Sequence, residues 1–178
     1  MMSAVFESIN HGLNYGTRAE PDNSKFNDSL LYPAATFVTL TMDGLLRGSM
    51  GSIAATEPLV DNIQYNAYSA AFEDPRFSPL NSDELPLLDI DISILNEKET
   101  LSCQSEEELL QQLQPGTDGL ILTEGDTTVT FLPAVWEQLV DAGAFVRELK
   151  KTAGLEPLYW SDTLIAERFS VTSYKKNH

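Results

Sequence analysis

Thr36-Phe37-Val38-Thr39-Leu40-Thr41, the turn Met42-Asp43-Gly44, and then Leu45-Leu46-Arg47-Gly48-Ser49-Met50-Gly51 form the stretch on which the fold turns. The first run alternates around Phe37, Val38 and Leu40 and predicts a strand. Asp43-Gly44 is a hairpin signal, so a paired strand is expected over 45–50. Leu46 to Gly51 concentrates one cation, two glycines and one hydroxyl in six residues. Gly48 and Gly51 allow a ligand to approach the backbone closely, or they mark a bulge or tight packing. Arg47 offers a planar fork for a carboxylate or phosphate. Ser49 is a hydrogen-bond donor, and a nucleophile only beside a base.

Working outward, residues 4–13 predict a helix, with Val5, Ile9 and Leu13 on one face. Residues 14–28 read as a polar loop. The span 58–72 predicts the clearest helix, opened by Pro58 and striped by Leu59, Ile63, Ala67 and Ala70-Ala71. Its small alanines imply close packing on a neighbour. Pro75 ends it, because the residue before a proline is pushed out of the helical region. Residues 88–95 alternate and predict a strand with Asp89 and Asp91 on a wet face. Ser105 and Glu108 make a capping box for a short helix over 105–113. Strands 119–123 and 127–132 predict a second hairpin around Gly125-Asp126. Two helices are expected at 133–140 and 143–153. Residues 161–167 read as irregular, 169–174 as a last strand and 175–178 as a tail. With no repeat and no linker, a single domain is expected.

The chain has 178 residues and a formal net charge of −16. Such a field repels nucleic acid and anionic lipid. Cys103 is the only cysteine, and His11 and His178 are the only histidines, so zinc sites and Ser-His-Asp triads have almost no material. Cys103 reads as inert, Trp136 as core and Asp118 as an Asx-turn residue. No stretch reaches transmembrane length. Residues 1–10 lack a basic start and an apolar core, so no signal peptide and a cytoplasmic location are expected.

Ala35-Thr36-Phe37-Val38-Thr39-Leu40, Leu46-Arg47-Gly48-Ser49-Met50-Gly51 and Ala70-Ala71-Phe72-Glu73-Asp74-Pro75-Arg76-Phe77 follow one another along the chain. Gly116-Thr117-Asp118-Gly119-Leu120 and Thr130-Phe131-Leu132-Pro133-Ala134-Val135-Trp136 complete the order, and the five motifs together resemble the AMMECR1 domain family. The family pattern at the second of these is Leu-Arg-Gly-Cys-Ile-Gly, so Ser49 stands where the family has cysteine. The resemblance implies an α+β domain, an antiparallel or mixed sheet flanked by helices, in two lobes with the motifs at a cleft between them. It also implies association with Memo-like and radical-SAM partners, the AmmeMemoRadiSam system, and it carries no secure reaction or cofactor.

Arg47, Gly48, Ser49, Gly51 and Arg76 are the candidate ligand-binding residues, and a metal site is not expected. Two function classes follow. One is an enzyme or accessory subunit that binds a small anionic ligand, with Arg47 and Arg76 as clamps. The other is a non-catalytic module that binds a partner protein. The competing role for the arginines is internal pairing, Asp74 with Arg76 and Asp43 or Glu73 with Arg47.

Overall fold

A computed structural model of the chain describes residues 1–139 and 141–177. Its elements begin with α1 (Met2–Tyr15), β1 (Thr36–Met42), β2 (Leu45–Gly51), α2 (Leu59–Phe72), β3 (Asp89–Leu95) and β4 (Glu99–Thr100). They continue with α3 (Glu106–Gln112), β5 (Gly119–Glu124), β6 (Thr127–Phe131), α4 (Ala142–Thr152), β7 (Ile165–Phe169) and β8 (Val171–Lys176). The chain divides into two compact units, Met1–Leu95 with Thr172–His178, and Asn96–Val171. Each has its own apolar cluster. The fold is α+β. Among the described residues no helix is long and apolar enough to cross a membrane.

In the first unit the sheet order is β2-β1-β3-β8, with β1 antiparallel to both β2 and β3. Alternation decides its faces. Val38, Leu40, Ile90 and Ile92 are buried, while Thr39 and Asp91, cross-strand partners, are only half-buried. Ile63, Ala67 and Ala70 of α2 belong to the same apolar cluster. The alanine stripe brings the helix backbone so near β2 that a Cβ at Gly48 would collide with the Ala70 carbonyl. Between β1 and β2, Asp43 (φ 52°) and Gly44 (φ 75°) supply the two left-handed residues of a tight hairpin.

Polar side chains pin the start of β1 from inside the core. Asn62 Oδ1 accepts from the Thr36 N–H (3.0 Å) and hydroxyl (2.7 Å). One turn later, Asn66 Nδ2 donates to the Thr36 carbonyl at 3.0 Å. Both asparagines are buried. The Thr36 N–H thereby finds a side-chain partner, and its carbonyl takes the Asn66 amide beside the Ser52 N–H at 3.0 Å.

The second unit carries the sheet β4-β7-β5-β6. Trp136 stacks on Phe145 of α4 with centroids 3.9 Å apart, and its indole N–H donates to the Asp118 carbonyl at 2.6 Å. It is core, as expected. Ser105 caps α3 by accepting from the Glu108 N–H, and Glu108 reaches back to the Gln104 N–H at 2.8 Å. The Lys150 ammonium, fully buried, is paired with Glu106.

Several boundaries differ from the sequence expectation. Residues 161–167 are not all irregular, because Ile165–Phe169 forms β7 against β5. The last strand is Val171–Lys176 instead of 169–174, so Lys175 and Lys176 are strand and not tail. The helix expected at 133–140 is a 3-10 turn over Pro133–Glu137, and Val140 and His178 lie outside the described residues. The loop at 14–28 gives up Asn14 and Tyr15 to α1 and contains the 3-10 turn Asn23–Lys25. Asp118 is no Asx turn: its Oδ2 accepts the Gln114 N–H, four residues back, at 2.9 Å.

Candidate functional site

The motif lies on β2, an edge strand of the first sheet. The register of β1 and β2 slips between Leu40 and Thr41: Leu40 faces Gly48 and Thr41 faces Leu46. Arg47 is thereby the extra residue of a bulge, which re-aims its side chain. Arg47 Nε donates to Glu84 Oε1 at 2.7 Å and Nη2 donates to Oε2 at 3.0 Å. The two side chains are only 11 % and 18 % exposed. This is a bidentate, partly desolvated pair. The Arg47 hydrogen bonds hold the Glu84 carboxyl below its ordinary value, and the same pair raises the Arg47 pKa. Glu84 is presented by a turn in which Asn81 Oδ1 accepts from the Asp83 and Glu84 N–H groups.

Asp74 organises the other half. Its Oδ2 accepts the Ser49 N–H at 2.9 Å and an Arg76 Nη2 bond at 2.7 Å, and its Oδ1 accepts from Arg76 Nε at 2.9 Å. Arg76 Nη2 also donates to the Ser49 carbonyl at 3.2 Å. A carboxylate and a guanidinium thus satisfy both main-chain groups of Ser49, as a neighbouring strand would. With Arg76 bound to it and two backbone N–H groups aimed at it, the Asp74 carboxyl is lowered to about 2. Asp74 is 2 % exposed and Arg76 54 %.

Both guanidiniums stand within cation–π reach of Phe77, at 6.0 Å for Arg47 and 5.6 Å for Arg76. So Arg47, Ser49 and Arg76 are brought together, with Gly48 against Ala70 and Gly51 beneath the Phe37 ring. The Ser49 hydroxyl lies 2.9 Å from that of Thr39. His11 packs on Tyr15 in α1. Burial, with Glu108 nearby, pushes the Cys103 thiol up, as an unreactive cysteine requires.

The AMMECR1 family model matches residues 2–174. The chain belongs to the AMMECR1 family. A Thermotoga maritima protein is 34 % identical over 169 residues, which is 94 % of this chain and 92 % of that one. A Nanoarchaeum equitans protein is 35 % identical over 144 residues, 80 % of this chain and 79 % of the relative. Among solved structures, an uncharacterized protein of Pyrococcus horikoshii superposes with a TM-score of 0.89 at 27 % identity, covering 98 % of this chain and 88 % of that one.

Sequence reasoning missed Glu84. It lies 37 residues from Arg47 in a turn with no motif of its own, so local charge spacing pointed to Asp43 or Glu73 instead. Asn62 and Asn66 were also missed. Two asparagines at i and i+4 on the apolar face of a helix were the available signal.

Proposed function

We propose that this AMMECR1-family chain is a cytoplasmic, non-catalytic binding module, an accessory subunit whose motif hairpin meets a partner protein of the Memo-like or radical-SAM type. The observation that carries this reading is the Arg47–Glu84 pair, which commits the motif's buried cation inside the domain. What stands open just before it is apolar: Leu45 is 73 % exposed and Leu46 41 %. Adjacent leucines at a hairpin are the kind of surface that association removes from water. The test titrates the purified chain with a purified Memo-like or radical-SAM partner by calorimetry. A Leu45→Glu/Leu46→Glu variant is expected to lose binding with its melting temperature unchanged. Binding that survives the double change, or no binding to either partner class, overturns the reading.

A second reading keeps the small anionic ligand, and the half-exposed Arg76 favours it. Here Arg47 holds the hairpin, Arg76 meets a carboxylate or phosphate, and Gly48, Ser49 and Gly51 form the floor. Charge-assisted bonds of roughly 1.5–3 kcal/mol each would have to compete with Asp74. A thermal-shift panel of phosphates and carboxylates on wild type and Arg76→Lys tests it. Stabilisation that the variant loses supports the ligand; no stabilised wild type removes it.

A further inference from the structure

The two sheets end in the strands β2, β8, β4 and β6, and three of these edges carry a device that discourages strand addition. On β2, Asp74 and Arg76 occupy both main-chain groups of Ser49. β4 is only two residues long. β8 carries Lys175 and Lys176. Covering side chains, short strands and edge lysines are established ways of blunting an edge. β6 has none of them. Its sequence, Thr127-Thr128-Val129-Thr130-Phe131, contains no charge and no proline, and its register on β5 runs without a bulge. Threonine, valine and phenylalanine all favour strands.

The turn decides which groups β6 leaves open. Gly125 (φ 56°) and Asp126 form a two-residue turn, so Glu124 and Thr127 are a hydrogen-bonded pair. Alternation then makes Leu122–Val129 hydrogen-bonded, and Thr123–Thr128 and Ile121–Thr130 not. The Thr123 and Thr128 hydroxyls, 3.1 Å apart, fit the closer side-chain spacing of the second kind. Thr128 and Thr130 therefore turn their N–H and C=O groups away from β5. Among the described residues neither main chain has a backbone partner on that outer side. Thr128 is exposed and Thr130 half-buried.

We propose that β6 pairs with the β6 of a second copy of this chain, antiparallel about a two-fold axis at Val129. Thr128 of each copy then faces Thr130 of the other, and each such pair exchanges its backbone hydrogen bonds. Charge favours this occupant and this direction. A charged partner strand finds no counter-charge on β6, whereas an identical neutral strand needs none. The acids at the turn, Glu124 and Asp126, are carried to opposite ends of the antiparallel pair. Each turn comes to lie beside Leu132 and Pro133 of the other copy, and Pro133, lacking an N–H, ends the ladder. At a net charge of −16 the copies repel at long range, so the dimer strengthens as salt screens that repulsion. This edge belongs to the second unit and is independent of the motif hairpin.

Sedimentation equilibrium of the whole chain tests it, at protein concentrations up to about 1 mM and at low and high salt. A reversible monomer–dimer equilibrium that tightens with salt is expected. Thr128→Lys/Thr130→Lys sets like charges opposite each other in the paired strands and should weaken the dimer about fivefold or more. Diffuse repulsion alone predicts the reverse, because this variant is less negative. Thr128→Lys/Thr130→Glu sets opposite charges face to face in the same register and should dimerise at least as well as the wild type. Circular dichroism and melting of dilute samples check that both variants fold as the wild type does. A chain that stays monomeric throughout, a dimer that loosens with salt, or equal dimerisation by the wild type and both variants overturns the proposal. So does a lysine–glutamate variant as weak as the lysine pair.

Discussion

The Asp74 carboxylate accepts the backbone N–H of Ser49 at 2.9 Å, and so a side chain from the end of α2 closes the open edge of β2. Edge strands left open are pairing hazards, and covering them is one way proteins blunt the edge. The serine in the motif's fourth position is held through its backbone, which explains why the fold accepts a serine there.

This arrangement makes stability depend on pH in a stated direction. The folded Asp74 carboxyl is lowered from 3.8 to about 2. A group depressed on folding contributes stability that is fully present above its unfolded value. That contribution is lost as pH falls through the folded value. The displacement is worth roughly 2 kcal/mol. Glu84, lowered by Arg47, acts in the same direction. Urea unfolding between about pH 5 and pH 2 should show the loss, and Asp74→Asn should flatten that slope while lowering stability at neutral pH. An unchanged slope in the variant would assign the acid sensitivity elsewhere.

Arg47→Lys keeps the charge and loses the fork that meets both Glu84 oxygens. A stability loss of about 1–3 kcal/mol is expected from denaturant unfolding. Glu84→Gln should cost a similar amount, and the double variant less than the sum, because the two residues form one interaction. Additive losses would show that the pair is not coupled.

The neighbouring motif positions Gly48 and Ser49 should differ sharply in cost. Gly48→Ala meets the Ala70 backbone carbonyl, which cannot swing aside, so a loss of about 3 kcal/mol or more is expected. Ser49→Ala removes only a hydroxyl bonded to Thr39 and should cost about 1 kcal/mol or less. A fluorophosphonate probe should leave Ser49 unlabelled, since its hydroxyl faces another hydroxyl and not a base. Mass spectrometry after incubation decides this, and stoichiometric labelling would reverse it.

In the second unit, Glu106→Gln strands the buried Lys150 ammonium without its carboxylate. A loss of about 3–5 kcal/mol is expected. Replacing both partners with apolar residues, Lys150→Met/Glu106→Leu, should recover most of it. If the single and double variants melt alike, the pair carries no desolvation penalty.

Most elements were legible because their periodicity is local: the alternation of Val38 and Leu40, the alanine stripe of α2, the Ser105–Glu108 box. What was not legible depends on distant partners. Phe169 and Val171 belong to one alternating run, yet Phe169 pairs with Gly119 in one sheet while β8 joins the other. Nothing in the run marks Ser170 as the change of sheet. Two-residue β4 is too short to carry a period at all. At the motif, the cation and glycines were visible but their use was not. Glu84 and the Ala70 carbonyl reach Arg47 and Gly48 only through the tertiary fold.

The return of β8 to the first sheet has a consequence for how the protein is made. Ser93 of β3 and Ser173 of β8, whose hydroxyls lie 3.4 Å apart, are 80 positions apart in the chain. On a ribosome, every residue of the second unit emerges between them. The first sheet therefore waits with three strands while the intervening segment is synthesised. Its slowest pairing is the one closed across the longest loop.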